Sequence, residues 1–341
     1  MNLIPFTKYK LHISCTTYNH ASYIENTMNG FCMQKTNFPF VAIIFDDAST
    51  DGEADVIRKF LNNNFDMSHA RQEETEDAVT VETIHKENLN CHFLVVFLKY
   101  NFYSINKDKY SLIKGFYEDI PYIAICEGDD YWTDPLKLQK QVDYLEAHPR
   151  CGLVYTNAML LIQKDGKLNK TCLPQQANFD TLLCNSPIMT LTTCYRADVF
   201  SKYINDIPWD KNWKMGDLPL WLYIASQSEI KYLPDVTSVY RVLNSSASHS
   251  NSIDKSVDFC LKSYCIRKFF AVKYNRQQFI KKICIHHINE LMKLAVSHNK
   301  NLFSVAAKMA IKDYVFSPKT WIKIILYSTA FGRNYHKRKY S

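Results

Sequence analysis

Glycine is scarce in this chain of 341 residues, which has only 8 where about 7% of positions is usual. Neither GxGxxG nor GxxxxGK followed by Ser or Thr occurs, which excludes a Rossmann dinucleotide site and a P-loop. No window approaches the roughly 20 apolar residues that span a bilayer, and the first ten residues hold no apolar signal-peptide segment. The 11 cysteines form no CxxC. Scattered in this way, they are expected to be reduced thiols of a cytoplasmic protein rather than a disulfide framework or a zinc site.

Acidic residues are almost missing from one end. Residues 251–341 carry 18 Lys and Arg against 4 Asp and Glu, while residues 1–250 carry 23 against 30. A mildly acidic body and a strongly basic end suggest different partners. Hydrophobic residues make up 47% and charged residues 22%, enough apolar material for a real core.

The pattern predicts an α/β sheet. Leu11, Ile13 and Cys15 alternate with polar residues into the turn Thr16-Thr17-Tyr18-Asn19, and a helix follows over about 23–33. Val41 to Phe45 is a continuous apolar run, as in a strand buried on both faces. It stops at Asp46-Asp47-Ala48-Ser49-Thr50-Asp51-Gly52, and a helix carrying Val56, Ile57, Phe60 and Leu61 comes next. The acid-rich segment 66–90 reads as an exposed excursion. His92–Leu98 and Tyr122–Cys126 are further strands, the second ending in Glu127-Gly128-Asp129-Asp130. Asp134 and Pro135 suit the N-cap and first position of another helix. Strands are expected near 153–156, 190–195 and 236–242, a helix over 217–225, and a helical, basic region from about 254. The implied organisation is a catalytic domain over 1–250 and a helical C-terminal region over 251–341.

Two buried strands that end in acid pairs, Asp46-Asp47 and Asp129-Asp130, belong at the same edge of a parallel sheet, where such folds bind ligands. Adjacent carboxylates repel and need a cation or hydrogen-bond donors. A divalent ion, Mg²⁺ or Mn²⁺, carried with a diphosphate answers that need. Asp, Ser, Thr and Gly are also ordinary turn residues, a reading that stays open for Asp46-Asp47. Gly128 implies either a close backbone approach or an unusual φ.

These runs resemble glycosyltransferase family 2, whose fold is called GT-A. The resemblance rests on Ser14-Cys15-Thr16-Thr17-Tyr18-Asn19, on Ile44 to Gly52, on Cys126 to Trp132 continuing through Thr133-Asp134-Pro135, and on Met215-Gly216-Asp217-Leu218-Pro219. It implies an inverting transferase that moves a sugar from a nucleotide-diphospho-sugar to a hydroxyl of a glycan or lipid-linked acceptor, in surface polysaccharide assembly. Carried over by residue, Thr16 and Tyr18 line the base pocket and Asp47 hydrogen-bonds the base. Asp129 holds the ribose or sugar, Asp130 ligates the metal and Asp217 is the general base. Lys107 and Lys109 are candidates for the diphosphate contact. The chain lacks the family's His after Tyr240-Arg241, for which His249 is a substitute candidate.

Asp217 also suits a helix N-cap, a role compatible with that of a base. Tyr131 and Trp132 could be core or acceptor-site walls, and Cys15 and Cys126 are read as small core residues. Three rival functions fit the residues less well. A haloacid-dehalogenase phosphatase needs Asp-x-Asp-x-Thr, which Asp46 to Thr50 does not supply. A degenerate nucleotide- or glycan-binding protein of the same fold would be expected to have lost Asp130 or Asp217. The basic end comes with no nucleic-acid-binding signature, so no nucleic acid is expected. An anionic membrane surface is the partner expected for it instead, which would make the protein peripheral on the cytoplasmic face.

Overall fold

Successive residues of the apolar run near 40–46 leave the sheet on opposite faces, and each face has its own core. Val41, Ile43 and Phe45 join Leu94, Val96 and Leu98 on one side. Phe40, Ala42 and Ile44 join Phe93, Val95 and Phe97 on the other. This double burial is why the run shows no polar alternation. The structure, a computed structural model, describes residues 9–117, 119–170, 176–208, 213, 215–243 and 252–340.

The chain opens with β1 (Leu11–Thr17), α1 (Ile24–Cys32), β2 (Phe40–Asp46), α2 (Glu53–Asn64), β3 (Arg71–Glu74), β4 (Ala78–Ile84) and β5 (Cys91–Leu98). Next come α3 (Lys114–Tyr117), β6 (Tyr122–Ile125), β7 (Tyr131–Trp132), α4 (Lys137–Ala147), β8 (Cys151–Ile162) and β9 (Lys167–Lys170). After these follow α5 (Phe179–Leu182), β10 (Thr193–Arg196), α6 (Ala197–Asp206), α7 (Asp217–Gln227) and β11 (Glu229–Val242). The chain ends in α8 (Ile253–Lys273), α9 (Ile280–Ser297), α10 (Phe303–Lys312), α11 (Pro318–Ser328) and α12 (Ala330–Tyr340).

It divides into two compact units. One comprises the chain up to Gln176 with Ile188–Lys202 and Ser228–Val242; the other comprises Ala177–Pro187, Tyr203–Gln227 and the chain from Leu243. The first unit holds the sheet, in the order β3-β4-β5-β2-β1-β6-β10-β8-β11-β7, with β9 beside β8. Strands β5, β2, β1 and β6 are mutually parallel, whereas β10 runs antiparallel to β6. Helices α1, α2 and α4 cover one face through Met28, Phe31, Ile57, Leu61, Leu138 and Val142. In the second unit α8 packs on α7 and α9, and α9 on α10, α11 and α12.

Two expectations are corrected here. The acidic segment 66–90 is not an excursion but mostly a hairpin, with β3 pairing β4 and β4 pairing β5 antiparallel at the sheet edge. Glu73 and Glu74 lie on the exposed β3 and Glu76 and Asp77 in the turn after it, while Ala78, Val81 and Thr83 of β4 are buried. The helix expected to start at Pro135 begins at Lys137, with Leu136 at the N-cap. Asp134 instead closes a turn, accepting from Leu136 N at 2.9 Å and, through its carbonyl, from Lys137 N at 3.2 Å.

Candidate active site

From β1 the chain moves outward to β2 and β5, then returns to the far side of β1 as β6. The strand order therefore reverses between β1 and β6, and the loops beyond their carboxyl ends line the crevice where such sheets bind ligands. Thr16, Thr17 and Tyr18 come from β1, Asp46 and Asp47 from β2, Asn101 to Tyr103 follow β5, and Glu127 to Asp130 follow β6.

Asp47 ties three of these ends together. Its backbone N donates to Thr17 O at 3.0 Å, and its carboxylate accepts from Phe102 N at 2.6 Å and Tyr103 N at 3.1 Å. Each carboxylate oxygen keeps a lone pair for a further donor. Lys109 Nζ donates to Thr16 Oγ1 at 2.5 Å and stands 5.2 Å from the centre of the Phe45 ring. Burial lowers its pKa, while the carboxylate of Asp47 and its other anionic neighbours oppose that shift. The expected pair Thr16 and Lys109 is thus brought together. Lys107 is taken up elsewhere, by Asp77 and the Tyr100 hydroxyl, both at 2.7 Å. Tyr18 is exposed.

Glu53, which the sequence reading passed over, is fully buried. It accepts from the Thr17 hydroxyl, from Ser49 Oγ at 2.7 Å and from His20 N at 2.9 Å. Burial raises its pKa and these donors pull it back. Further bonds lace the two loops: Asn19 N to Ser49 Oγ at 2.9 Å, Thr50 N to Asn19 Oδ1 at 2.8 Å and Ala21 N to Asp51 Oδ2 at 2.9 Å. Asn19 and Ala48 both have φ 58, a left-handed conformation in which Ala is strained. An acid in the first turn of a helix looks like a surface partner of the helix dipole, so nothing local in the sequence marks Glu53 as buried.

After β6 the backbone presses against β1. Gly128 N donates to Thr16 O at 3.0 Å, and a Cβ on Gly128 would lie 2.0 Å from Thr17 Oγ1. Its requirement is close approach, not a positive φ. Thr27 Oγ1 holds the carbonyls of Gly128 and Asp130 at 3.0 and 2.5 Å. Asp130 is 2% exposed. Its Oδ1 accepts from Arg241 N at 2.8 Å, which fastens β6's loop to β11. Burial, then the charges of Glu127 and Asp129, raise its pKa well above the usual carboxylate range. Asp129 Oδ2 lies 4.0 Å from His20 Nε2. Arg241 was also missed as a site residue: its guanidinium sits 4.9 Å from both the Tyr23 and Tyr131 rings. Trp132 belongs to the core, with Nε1 donating to Leu191 O at 2.8 Å and the buried Lys137 ammonium 4.2 Å from its ring. Burial pulls Lys137 down to about 8. It pushes the thiols of Cys15 and Cys126 up, in keeping with core residues.

No group of three His, Cys, Asp or Glu that could hold a metal ion occurs among the described residues. The donor chemistry still fits a hard divalent cation. Two adjacent carboxyl groups, one with its pKa raised by burial and by the neighbouring acids, match the one or two protein oxygens Mg²⁺ takes when phosphates complete its shell. Asp217 belongs to the second unit and is the half-buried first residue of α7. Burial raises its pKa, while the N–H groups of α7's first turn and the charge of Arg267 lower it. Arg267 is held by the carbonyls of Leu182 and Asn185 and, at 2.7 Å, by Ser186 Oγ. His249 lies outside the described residues.

The parallel strands, the switch point between β1 and β6 and the acid-ended loops define a GT-A fold. A crystal structure of Staphylococcus aureus TarS 1–349 in complex with UDP-GlcNAc superposes with a TM-score of 0.50 over 89% of each chain, at 14% identity. The protein named putative teichuronic acid biosynthesis glycosyltransferase TuaG, of Bacillus subtilis, is 25% identical over 246 residues, 71% of this chain and 83% of TuaG. The likeness to TarS shows that the chain has a GT-A-like fold. An uncharacterised protein of Mycobacterium tuberculosis is 33% identical over 235 residues, 68% of this chain, and the match spans 58% of that relative's length. No family profile matches the chain.

Proposed function

We propose that the protein is an inverting glycosyltransferase that uses a nucleotide-diphospho-sugar to build a cell-surface or cell-wall polymer. The observation that carries this reading is Asp130: a buried carboxylate, crowded by two further acids, anchored by a backbone N–H where the parallel strands part. Such an arrangement is costly unless a cation is used there. Likeness to TuaG supports the polymer class.

In this reading Tyr18 stacks on the base, Thr16 lines its pocket, and Asp47 accepts a base N–H through a lone pair the 102–103 turn leaves free. Asp129 receives hydroxyls of the ribose or sugar, and Lys109 faces the diphosphate. Asp130, through the oxygen that Arg241 does not occupy, is the residue that would hold Mg²⁺ or Mn²⁺. When bound, the cation offsets charge on the leaving diphosphate. Asp217 takes the proton of the acceptor hydroxyl as that oxygen bonds to the anomeric carbon. The bond from that carbon to the diphosphate oxygen breaks on the opposite side, which inverts the configuration.

The test is Asp217→Asn. Removing a positioned base typically costs about 10²–10⁴ in rate, while Asn keeps the size and starts a helix nearly as well. Donor binding and melting temperature are expected to persist while transfer falls by that factor. Near-normal transfer by this variant would remove the assignment, and nucleotide binding without transfer by the unaltered protein would leave a degenerate binding module.

A further inference from the structure

Helix α11 turns the wrong face outward for a helix that ends at water. Thr320 and Ile324 point inward and are buried, and Trp321 Nε1 donates to Val315 O at 2.9 Å. The opposite face, recurring at spacings of three and four residues, carries Ile322, Ile325 and Leu326, all exposed. The neighbouring helices and their connections extend this display: Ile311 of α10, Tyr314 and Phe316 before α11, and Phe331 of α12 are each more than half exposed. Isolated exposed apolar side chains are normal, but a concentration of them marks an interaction site.

Tyr314 adds an independent sign. The turns that end α8, α9 and α10 share one geometry, in which the N–H two positions past the helix reaches back across the turn. The left-handed position is Asn275 after α8 and Asn299 after α9, residues that tolerate it, but after α10 it is Tyr314 at φ 54. A bulky residue is costly there, and the result is a ring held out in solvent.

The charge around these groups has one sign. From 277 to 341 the chain has 12 Lys and Arg but only two acids, Glu290 and Asp313. Glu290 pairs with Lys293, and Asp313 is buried against Lys268 and Tyr264. Lys308, Lys312 and Lys319 are exposed on the same helices as the apolar face. Arg333 is not available to a partner: it is buried and donates to the carbonyls of Tyr327 and Ser328 and to Asn299.

The geometry points to an anionic lipid surface as the occupant of this face, with Ile322, Ile325, Leu326, Phe316 and Phe331 entering the headgroup boundary and the lysines meeting lipid phosphates. Apolar side chains with basic residues around them are what interfacial helices use. A protein partner would have to supply an acid-rimmed apolar groove, whereas an anionic bilayer offers both chemistries over its whole area. The contact is with a surface, since no helix among the described residues is long and apolar enough to cross a membrane. It stands apart from the donor chemistry, so either can fail alone.

Sedimentation of the full chain with vesicles of phosphatidylcholine, alone or mixed with phosphatidylglycerol, tests this. Binding to the mixed vesicles is expected to exceed binding to the neutral ones by about tenfold or more at low salt and to weaken as salt screens the lysines. The variant Ile322→Ser/Ile325→Ser/Leu326→Ser should lose about tenfold in partition with an unchanged circular dichroism spectrum and unchanged nucleotide-diphosphate binding. Lys308→Gln/Lys312→Gln/Lys319→Gln should lose the preference for anionic lipid. Equal binding to both vesicle types, or no loss in the serine variant, overturns the proposal. So does a dimer that the serine variant abolishes in protein that never pellets with lipid, because a second copy of the chain would then be the occupant.

Discussion

Asp130 and Gly128 are the positions where single atoms decide most. A group whose folded pKa is raised weakens the fold as pH climbs from the ordinary carboxylate range to that raised value, because the unfolded chain ionises first and favourably. Asp130 is in that position by burial and by the charges of Glu127 and Asp129. Stability without ligand should therefore fall over that window. Asp130→Asn, whose oxygen can still accept from Arg241 N, should remove the fall and raise the melting temperature at neutral pH. A flat profile in the unaltered protein, or a lower melting temperature in the variant, speaks against the burial argument. Gly128→Ala would force a methyl group to within 2.0 Å of Thr17 Oγ1. It should cost about 1–3 kcal/mol, as overpacking typically does, and uncouple β6's loop from β1; an unfolding midpoint equal to that of the unaltered protein would contradict this.

Among the elements, the two loops after β1 and β2 stand or fall together on Glu53. Removing it leaves the Thr17 and Ser49 hydroxyls and the His20 N–H without their acceptor, at roughly 1–3 kcal/mol for each group left unpaired in a buried place. Glu53→Ala is expected to lower stability in urea by about 3 kcal/mol and to weaken nucleotide-diphosphate affinity with it, since Thr16 and Tyr18 flank the anchored Thr17. A loss below about 1 kcal/mol would mean that water replaces the carboxylate. Strands β2, β5 and β6 were legible in the sequence because double burial writes itself as an apolar run, β1 was legible by its alternation, and the acid pairs were legible because they follow the runs of β2 and β6. Strand β4 was not, because its alternation of Val79, Val81 and Thr83 is outnumbered by Glu73, Glu74, Glu76, Asp77 and Glu82. Glu53, Lys137 and Arg241 were not legible as buried residues either: each is a charged side chain, and the burial of Glu53 and Arg241 involves Thr17 and Tyr23, distant in sequence.

For the whole molecule, the division into two units separates the proposed roles. The first carries every residue proposed for the nucleotide and the cation, and the second carries Asp217 and the basic helices. The donor half of the account can thus be examined without an acceptor. Titration calorimetry of nucleoside diphosphates, with and without Mn²⁺, into the unaltered protein and into Asp130→Asn does so most directly. The account predicts that one nucleoside diphosphate binds in the presence of Mn²⁺, that EDTA weakens it by about tenfold or more, and that Asp130→Asn abolishes the metal-dependent part while the protein stays folded. Equal affinity in both proteins with EDTA present would contradict it.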